Sequence, residues 1–276
     1  MSLDSRIGLT GSGVPRELRD ALAQLASTDR LLVALDFDGT LAPEVDDPAT
    51  ARALPEAKGA VIRLNDLPRT RVALVSGRGI RDLEAVANFS DEILLVGSHG
   101  IELRLDSPDV ELALDDAERA SMVLMSEMLE QVVDNVDQVW IEPKPAGFAL
   151  HTRLATEKDS RIAHLVARSE LSAEIADLTV REGKNVLEFS VRSTTKGEAV
   201  EYLRRYTKST AAFFAGDDVT DEDAFVALGP DDLGVKSGPG VTAADFRVPG
   251  PEQIAHVLHL LADLRAAFLT QEAPSN

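Results

Sequence analysis

Leu31-Leu32-Val33-Ala34-Leu35-Asp36-Phe37-Asp38-Gly39-Thr40-Leu41 is the stretch from which the rest of the chain is read. Its apolar run, Leu31 to Leu35, suits a strand buried on both faces of a parallel sheet, because a half-exposed strand would alternate apolar with polar residues. Asp36 then falls at the strand's carboxyl end, beyond which open α/β sheets bind their ligands. Asp36 and Asp38 are two apart with Phe37 between them, so an extended backbone sends both carboxylates to one side and the ring to the other. Gly39 follows where the chain must turn away. Two carboxylates this close repel by several kcal/mol at an effective dielectric of about 20, and a divalent cation compensates them most simply. An acidic turn after an ordinary strand is the competing reading of Asp-x-Asp-Gly taken alone.

The same grammar recurs on either side. Pro15 to Ala26 reads as a helix with Leu18, Leu22 and Leu25 on one face, Pro43 to Pro55 as a loop, and Glu56 to Leu67 as a second helix. Val72 to Val75 is a second buried strand, ending in Ser76-Gly77-Arg78 before a helix from Ile80 to Ala87. A serine there either caps the helix or donates a hydrogen bond to a phosphoryl oxygen. Ile93 to Val96 is a third strand, and Gly97-Ser98-His99-Gly100 a permissive loop closed by Glu102. Far along the chain, Thr194-Thr195-Lys196-Gly197-Glu198 opens a helix running to about Tyr206. Lysine is a poor structural choice at a helix start, where like partial charges meet, so Lys196 points to an anion. Ala211 to Ala215 is a fourth strand ending in Gly216-Asp217-Asp218-Val219-Thr220-Asp221, an oxygen-rich cluster of the kind that suits Mg2+; a cap on the helix Glu222 to Leu228 is the competing reading for one of its three Asp residues.

Between these halves the period changes. Ile101 to Leu105 and Val110 to Leu114 read as short half-exposed strands, Ala117 to Val133 as a helix, and Gln138 to Glu142 and Gly147 to Arg153 as strands. A helix from Thr156 to Ser169 and strands Leu178 to Glu182 and Asn185 to Val191 complete the set. The fold class expected is α/β: a Rossmann-like parallel-sheet core, 1–102 with 193–276, carrying an inserted α+β cap, 103–192. Glu142 and Lys144, His151 and Arg153, and Lys184 and Glu188 lie at even spacings, so each pair shares a sheet face, as solvated ion pairs or as ligand contacts. Pro251 to Phe268 reads as a closing helix and Thr270 to Asn276 as a frayed tail.

Composition narrows the partners. The 276 residues are 44% hydrophobic, enough for one large or two modest cores, and no apolar run approaches the roughly 20 residues that span a bilayer. The start of the chain lacks the basic-then-apolar pattern of a secretion signal, and with no Cys the expected setting is the cytoplasm. Lys and Arg number 28 against 47 Asp and Glu, a net charge of -19, which argues against nucleic acid and anionic membrane as partners. An anionic small molecule would then need local positive charge from a metal or from placed Lys and Arg.

Asp36-Phe-Asp-Gly-Thr-Leu41 with Gly216-Asp-Asp-Val-Thr-Asp-Glu222 resembles the haloacid-dehalogenase-like phosphohydrolases. Within that superfamily, Gly97-Ser-His-Gly-x-Glu102, the cap segments Glu142 to Arg153 and Gly183 to Glu188, and Thr195-Lys-Gly-Glu-Ala199 resemble the trehalose-6-phosphate phosphatases. The resemblance covers about Leu31 to Arg247, within which Gly234-Val-Lys-Ser-Gly-Pro-Gly240 resembles the final loop of these enzymes. It implies Asp36 as nucleophile and Asp38 as general acid and base, with Thr40, Ser76 and Lys196 holding the phosphoryl group. It implies Mg2+ on Asp36, the carbonyl of Asp38, Asp217 and Asp221, supported by Asp218. Substrate binding would fall to Arg78, His99, Gly100, Glu102, Lys144, His151, Arg153, Lys184 and Glu188, beside Glu142. The expectation is a monomeric phosphatase for a sugar phosphate, trehalose 6-phosphate first. A phosphatase for sucrose phosphate or glucosyl-3-phosphoglycerate, and an inactive sugar-phosphate-binding module, are the alternatives.

Overall fold

The computed structural model describes residues 14–183 and 185–272. Helix α1 (Arg16–Ala26) leads into β1 (Leu31–Leu35), followed by α2 (Pro55–Asn65), β2 (Thr70–Val75), α3 (Ile80–Ala87), β3 (Leu94–Gly97), β4 (Glu102–Arg104) and β5 (Glu111–Leu112). Next come α4 (Asp116–Asn135), β6 (Trp140–Lys144), β7 (Gly147–His151), α5 (Glu157–Glu174), β8 (Thr179–Gly183) and β9 (Val186–Ser190). The chain ends with α6 (Lys196–Thr207), β10 (Ala211–Gly216), α7 (Glu222–Ala227), β11 (Leu233–Ser237), β12 (Phe246–Val248) and α8 (Pro251–Glu272). These elements form two compact units, one running up to Glu111 and resuming at Thr195, the other Leu112–Thr194.

The first unit is an α/β fold on a sheet in the order β12-β11-β10-β1-β2-β3-β4-β5. Pairing is parallel from β12 to β3 and turns antiparallel at β3–β4. Every residue of β1, β10 and β11 is buried, as strands covered on both faces require. Leu31, Val33 and Leu35 pack in one core with Leu18 and Leu22 of α1, Val61 and Leu64 of α2, and Leu258 and Leu261 of α8. The opposite face carries α6 and α7, where Phe214 meets Phe225 edge-on at 5.3 Å between ring centres. The chain winds outward from β1 to β3 in one direction and from β10 to β12 in the other. The β1–β10 border is therefore where the connections diverge, and a crevice opens beyond the strand ends.

The second unit is a four-stranded antiparallel sheet, β6-β7-β9-β8, with α4 and α5 on one face. Phe148, Leu150, Leu187 and Phe189 point to that face and are buried with Met125 and Leu129 of α4 and Ala167 and Leu171 of α5. Pro143 lies inside β6, which is tolerated because β6 is an edge strand. Among the described residues no helix is long and apolar enough to cross a membrane.

Several boundaries differ from the sequence expectation. Strand β4, which straddles the boundary expected after residue 102, belongs wholly to the large sheet. Its apparent half-exposure comes from Arg104, a buried guanidinium that donates to the backbone carbonyls of Asp91 and Ile93 at 3.0 and 3.1 Å. Gly234 to Gly240, implied by the resemblance to be a loop, supplies all but the first residue of strand β11, and β12 follows it unannounced. A Cβ on Gly234 would lie 2.9 Å from the Phe225 ring, so tight packing explains a glycine that looks like a turn signal. Helix α8 continues through Thr270 to Glu272, into the expected tail.

Candidate active site

Three strand ends converge on the crevice. Asp36 follows β1, and its backbone N–H donates to Ala215 O at 2.9 Å, which sets it level with the end of β10 and the start of the Asp217–Asp221 loop. Ser76 follows β2 on the other side. Phe37 is fully buried in the core while Asp36 and Asp38 line a crevice of about 880 Å3, the alternation expected of an extended segment. Glu44, Asp46, Asp82, Arg78, His99 and Lys196 line it as well.

Lys196, at the first position of α6 and only 2% exposed, donates to Asp36 Oδ1 at 2.6 Å and to Asp221 Oδ1 at 2.7 Å. Thr195 caps the helix by accepting from the Glu198 N–H, so the lysine is free of any capping duty. Asp221, wholly buried, turns its other oxygen to the backbone N–H groups of Asp217 and Asp218, both at 2.9 Å. It organises its own loop while facing Asp36. Thr40 Oγ1 donates to Asp36 Oδ2 at 3.3 Å. Gly39 has φ +68°, and a Cβ there would lie 2.0 Å from Asp217 Oδ2, so the glycine serves both the turn and the approach of the two acidic arms.

Asp36, Asp217 and Asp221 each offer an oxygen within 4.8 Å of the others. One ammonium does not balance three carboxylates: burial, with Asp221 and Asp217 adding repulsion against the pull of Lys196, pushes the Asp36 carboxyl up to about 7. Burial, then Asp221 and Glu44, push Asp217 up to about 6. Burial works against the Lys196 charge, yet Asp36 and Asp221 outweigh it and raise its pKa. An all-oxygen set with unmet negative charge fits a hard divalent cation such as Mg2+. Asp218 is exposed at the rim.

The Ser76 loop shows that Ser76 does not cap helix α3. Helix α3 begins after Gly79 with no cap from Ser76; its Ile80 N–H instead donates to Glu102 Oε2 at 3.2 Å, and Ser98 Oγ donates to the same oxygen at 2.6 Å. Glu102 thus sits at the start of α3. Ser76 Oγ accepts from the Arg78 N–H at 3.1 Å and is buried, directly before Gly77 and Arg78, which line the crevice. Arg78 grips Asp38 with two bonds, Nε to Oδ2 at 2.6 Å and Nη2 to Oδ1 at 2.7 Å. His99 adopts φ +57° and Gly100 φ +119°; the imidazole lies where a Cβ on Gly77 would be, 2.7 Å away.

The open face of the second sheet gathers the insertion's polar residues. Glu142, Ala149, Glu188 and Arg181 stand opposite one another across the four strands, and Trp140 opposes His151. Glu142 accepts from Lys144 at 2.6 Å and pairs with His151 Nε2 at 2.8 Å, and these bonds hold its pKa below the usual carboxylate value. Trp140 stacks on His151 at 5.0 Å and carries the Arg153 guanidinium 5.1 Å from its ring centre. Lys184 lies outside the described residues. Sequence reasoning passed over Trp140 and Arg181 here, and over Lys236 and Ser237 in the first unit. The alternation that places Glu188 also places Arg181, once the register is known.

The sequence profile described as trehalose-phosphatase matches residues 34–254. The chain belongs to the trehalose-phosphatase family. Among relatives of this family, the trehalose-phosphate phosphatase of Mycobacterium ulcerans is 32% identical over 266 residues, which cover 89% of this chain and 66% of that protein. That of Mycobacterium tuberculosis is 30% identical over 280 residues, covering 94% and 70%. The chain thus spans about two thirds of the length of these trehalose-phosphatase relatives. The trehalose-6-phosphate phosphatase of Aspergillus fumigatus superposes with a TM-score of 0.67 at 25% identity over 89% of this chain and 97% of that structure. The strand ends described above fall within the part matched by the trehalose-phosphatase profile.

Proposed function

We propose that the chain hydrolyses trehalose 6-phosphate to trehalose and phosphate, with Mg2+ as cofactor and Asp36 as the group that takes the phosphoryl. Family membership supports the substrate class. The observation that carries the chemistry is Asp36, buried at a strand end, held by Lys196 at 2.6 Å and facing Asp217 and Asp221.

Mg2+, held by Asp36, Asp217, Asp221 and the Asp38 carbonyl, would supply the charge neutralisation that lets a carboxylate approach a phosphate dianion. Asp36 attacks phosphorus and the sugar oxygen leaves as Asp38 protonates it; water, deprotonated by Asp38, then hydrolyses the acyl phosphate and restores Asp36. Lys196, Thr40 and Ser76 meet the charge that spreads over the equatorial oxygens. Arg78 donates to both oxygens of Asp38 in the present arrangement, so Asp38 must leave that grip before it acts on the sugar oxygen. The open face carrying Glu142, Lys144, His151, Arg153 and Glu188, together with Lys184, recognises the sugar hydroxyls, while Arg78, His99, Gly100 and Glu102 shape the crevice. A cytoplasmic monomer is the setting this reading expects, checked by cell fractionation and sedimentation.

Phosphate release from a panel of sugar phosphates with Mg2+ tests the substrate. Trehalose 6-phosphate should lead, and a preference for sucrose phosphate or glucosyl-3-phosphoglycerate overturns the assignment. Asp36→Asn should lower kcat by at least about 1,000-fold, and rapid-quench mass spectrometry of the wild type should find phosphate on Asp36.

A further inference from the structure

Strand β11 contributes no reacting group, yet its last two residues are polar and buried, Lys236 at 3% and Ser237 at 1% exposure. Lys236 Nζ donates to the backbone carbonyl of Asp218 at 3.1 Å and to Glu222 Oε1 at 3.0 Å. Glu222 Oε2 in turn accepts from the Ala243 N–H at 2.8 Å, which ties the same knot to the loop before β12. Ser237 Oγ donates to the carbonyl of Gly39 at 2.7 Å. One strand end therefore grips both acidic arms: Ser237 the arm carrying Asp36 and Asp38, Lys236 the arm carrying Asp217 to Asp221. The grip on the first arm falls on Gly39, the residue whose missing side chain admits Asp217.

A buried ammonium answered by one partly exposed carboxylate costs desolvation that an apolar residue would avoid, so its presence calls for a positional reason. The neighbours Val235 and Leu233 show that the strand itself packs with aliphatic residues. We propose that Lys236 and Ser237 are positioning residues that set the separation of the two acidic arms and thereby the affinity of the divalent-cation site. The inference rests on the cation reading above but not on the identity of the sugar. Outer partners of metal ligands are worth about 10- to 100-fold in metal affinity, and these two act on the ligand-bearing loops through backbone carbonyls.

Calorimetric titration of Mg2+ into the full chain, without substrate, reads the effect directly. Lys236→Met should raise the Kd for Mg2+ by about 10-fold or more, and Ser237→Ala and Glu222→Gln should raise it in the same direction by less. Thermal unfolding in EDTA reports the purely structural contribution separately. A Lys236→Met protein that unfolds earlier in EDTA yet binds Mg2+ with wild-type affinity overturns the proposal. Should that variant not fold, unchanged affinity in both Ser237→Ala and Glu222→Gln overturns it equally. Absence of Mg2+ binding by the wild type removes the cation reading and this inference together, whereas Mg2+ binding without trehalose 6-phosphate hydrolysis removes only the substrate and leaves it standing.

Discussion

At the scale of single residues, the crevice holds carboxylates that burial and mutual repulsion make reluctant to ionise. Asp36 is raised to about 7 and Asp217 to about 6, chiefly by burial. A carboxyl raised in the folded state favours folding while it is protonated, and that contribution is lost as pH climbs from about 4 through about 7. In EDTA, Asp36→Asn should thus match the wild type in thermal stability near pH 4 and exceed it near pH 8. Mg2+ affinity should rise over the same window with proton release, measured by calorimetry in two buffers of different ionisation enthalpy. Gly39→Ala forces a side chain 2.0 Å from Asp217 Oδ2 at a positive φ. It should weaken Mg2+ binding by about 10-fold while the far-UV spectrum stays native. The alternation around Phe37 was enough to aim Asp36 and Asp38 the same way. The grip of Arg78 on Asp38 was not legible, because residues 40 apart in sequence meet only through the pairing of β1 with β2.

At the scale of elements, burial patterns marked the inner strands and failed where a polar residue turns inward. Arg104 disguised β4 and Lys236 disguised β11, since a polar residue in a short run reads as exposure. Arg265 is the extreme case: fully buried in α8, it donates to the carbonyls of Ala26, Thr28, Asp29 and Arg69 and to Thr70 Oγ1. It pins the helix to the loops that precede β1 and β2, at the end of the strands away from Asp36 and Ser76. Arg265→Ala should cost about 3 kcal/mol in denaturant unfolding, because several buried carbonyls lose their donor, and should leave kcat unchanged in the folded protein.

At the scale of the whole molecule, two units each bring one kind of chemistry, strand-end carboxylates in the first and a one-faced antiparallel sheet in the second. The open face of that sheet offers Glu142, His151 and Glu188 in register, the groups that would meet sugar hydroxyls. If selection of the sugar belongs to this face, His151→Ala with Glu188→Gln should raise KM for trehalose 6-phosphate by about 10-fold or more. Loss of two charged or aromatic hydrogen-bond partners is worth that much. Turnover of p-nitrophenyl phosphate, which carries no sugar, should be unchanged; equal losses on both substrates would place the effect in the phosphoryl chemistry instead.

Local pattern alone determined the parallel sheet, the strand-end position of each acidic group and the existence of an insertion, because each depends on residue spacing within one element. Which strands adjoin, and hence which carboxylates cluster together, was decided only by tertiary structure. Sheet order, β10 beside β1, brings residues about 180 positions apart within hydrogen-bonding reach. The roles of Lys236, Glu102 and Arg265 belong to the same category. A buried polar side chain is tolerated only where a partner from another element satisfies it, and no single segment of sequence names that partner.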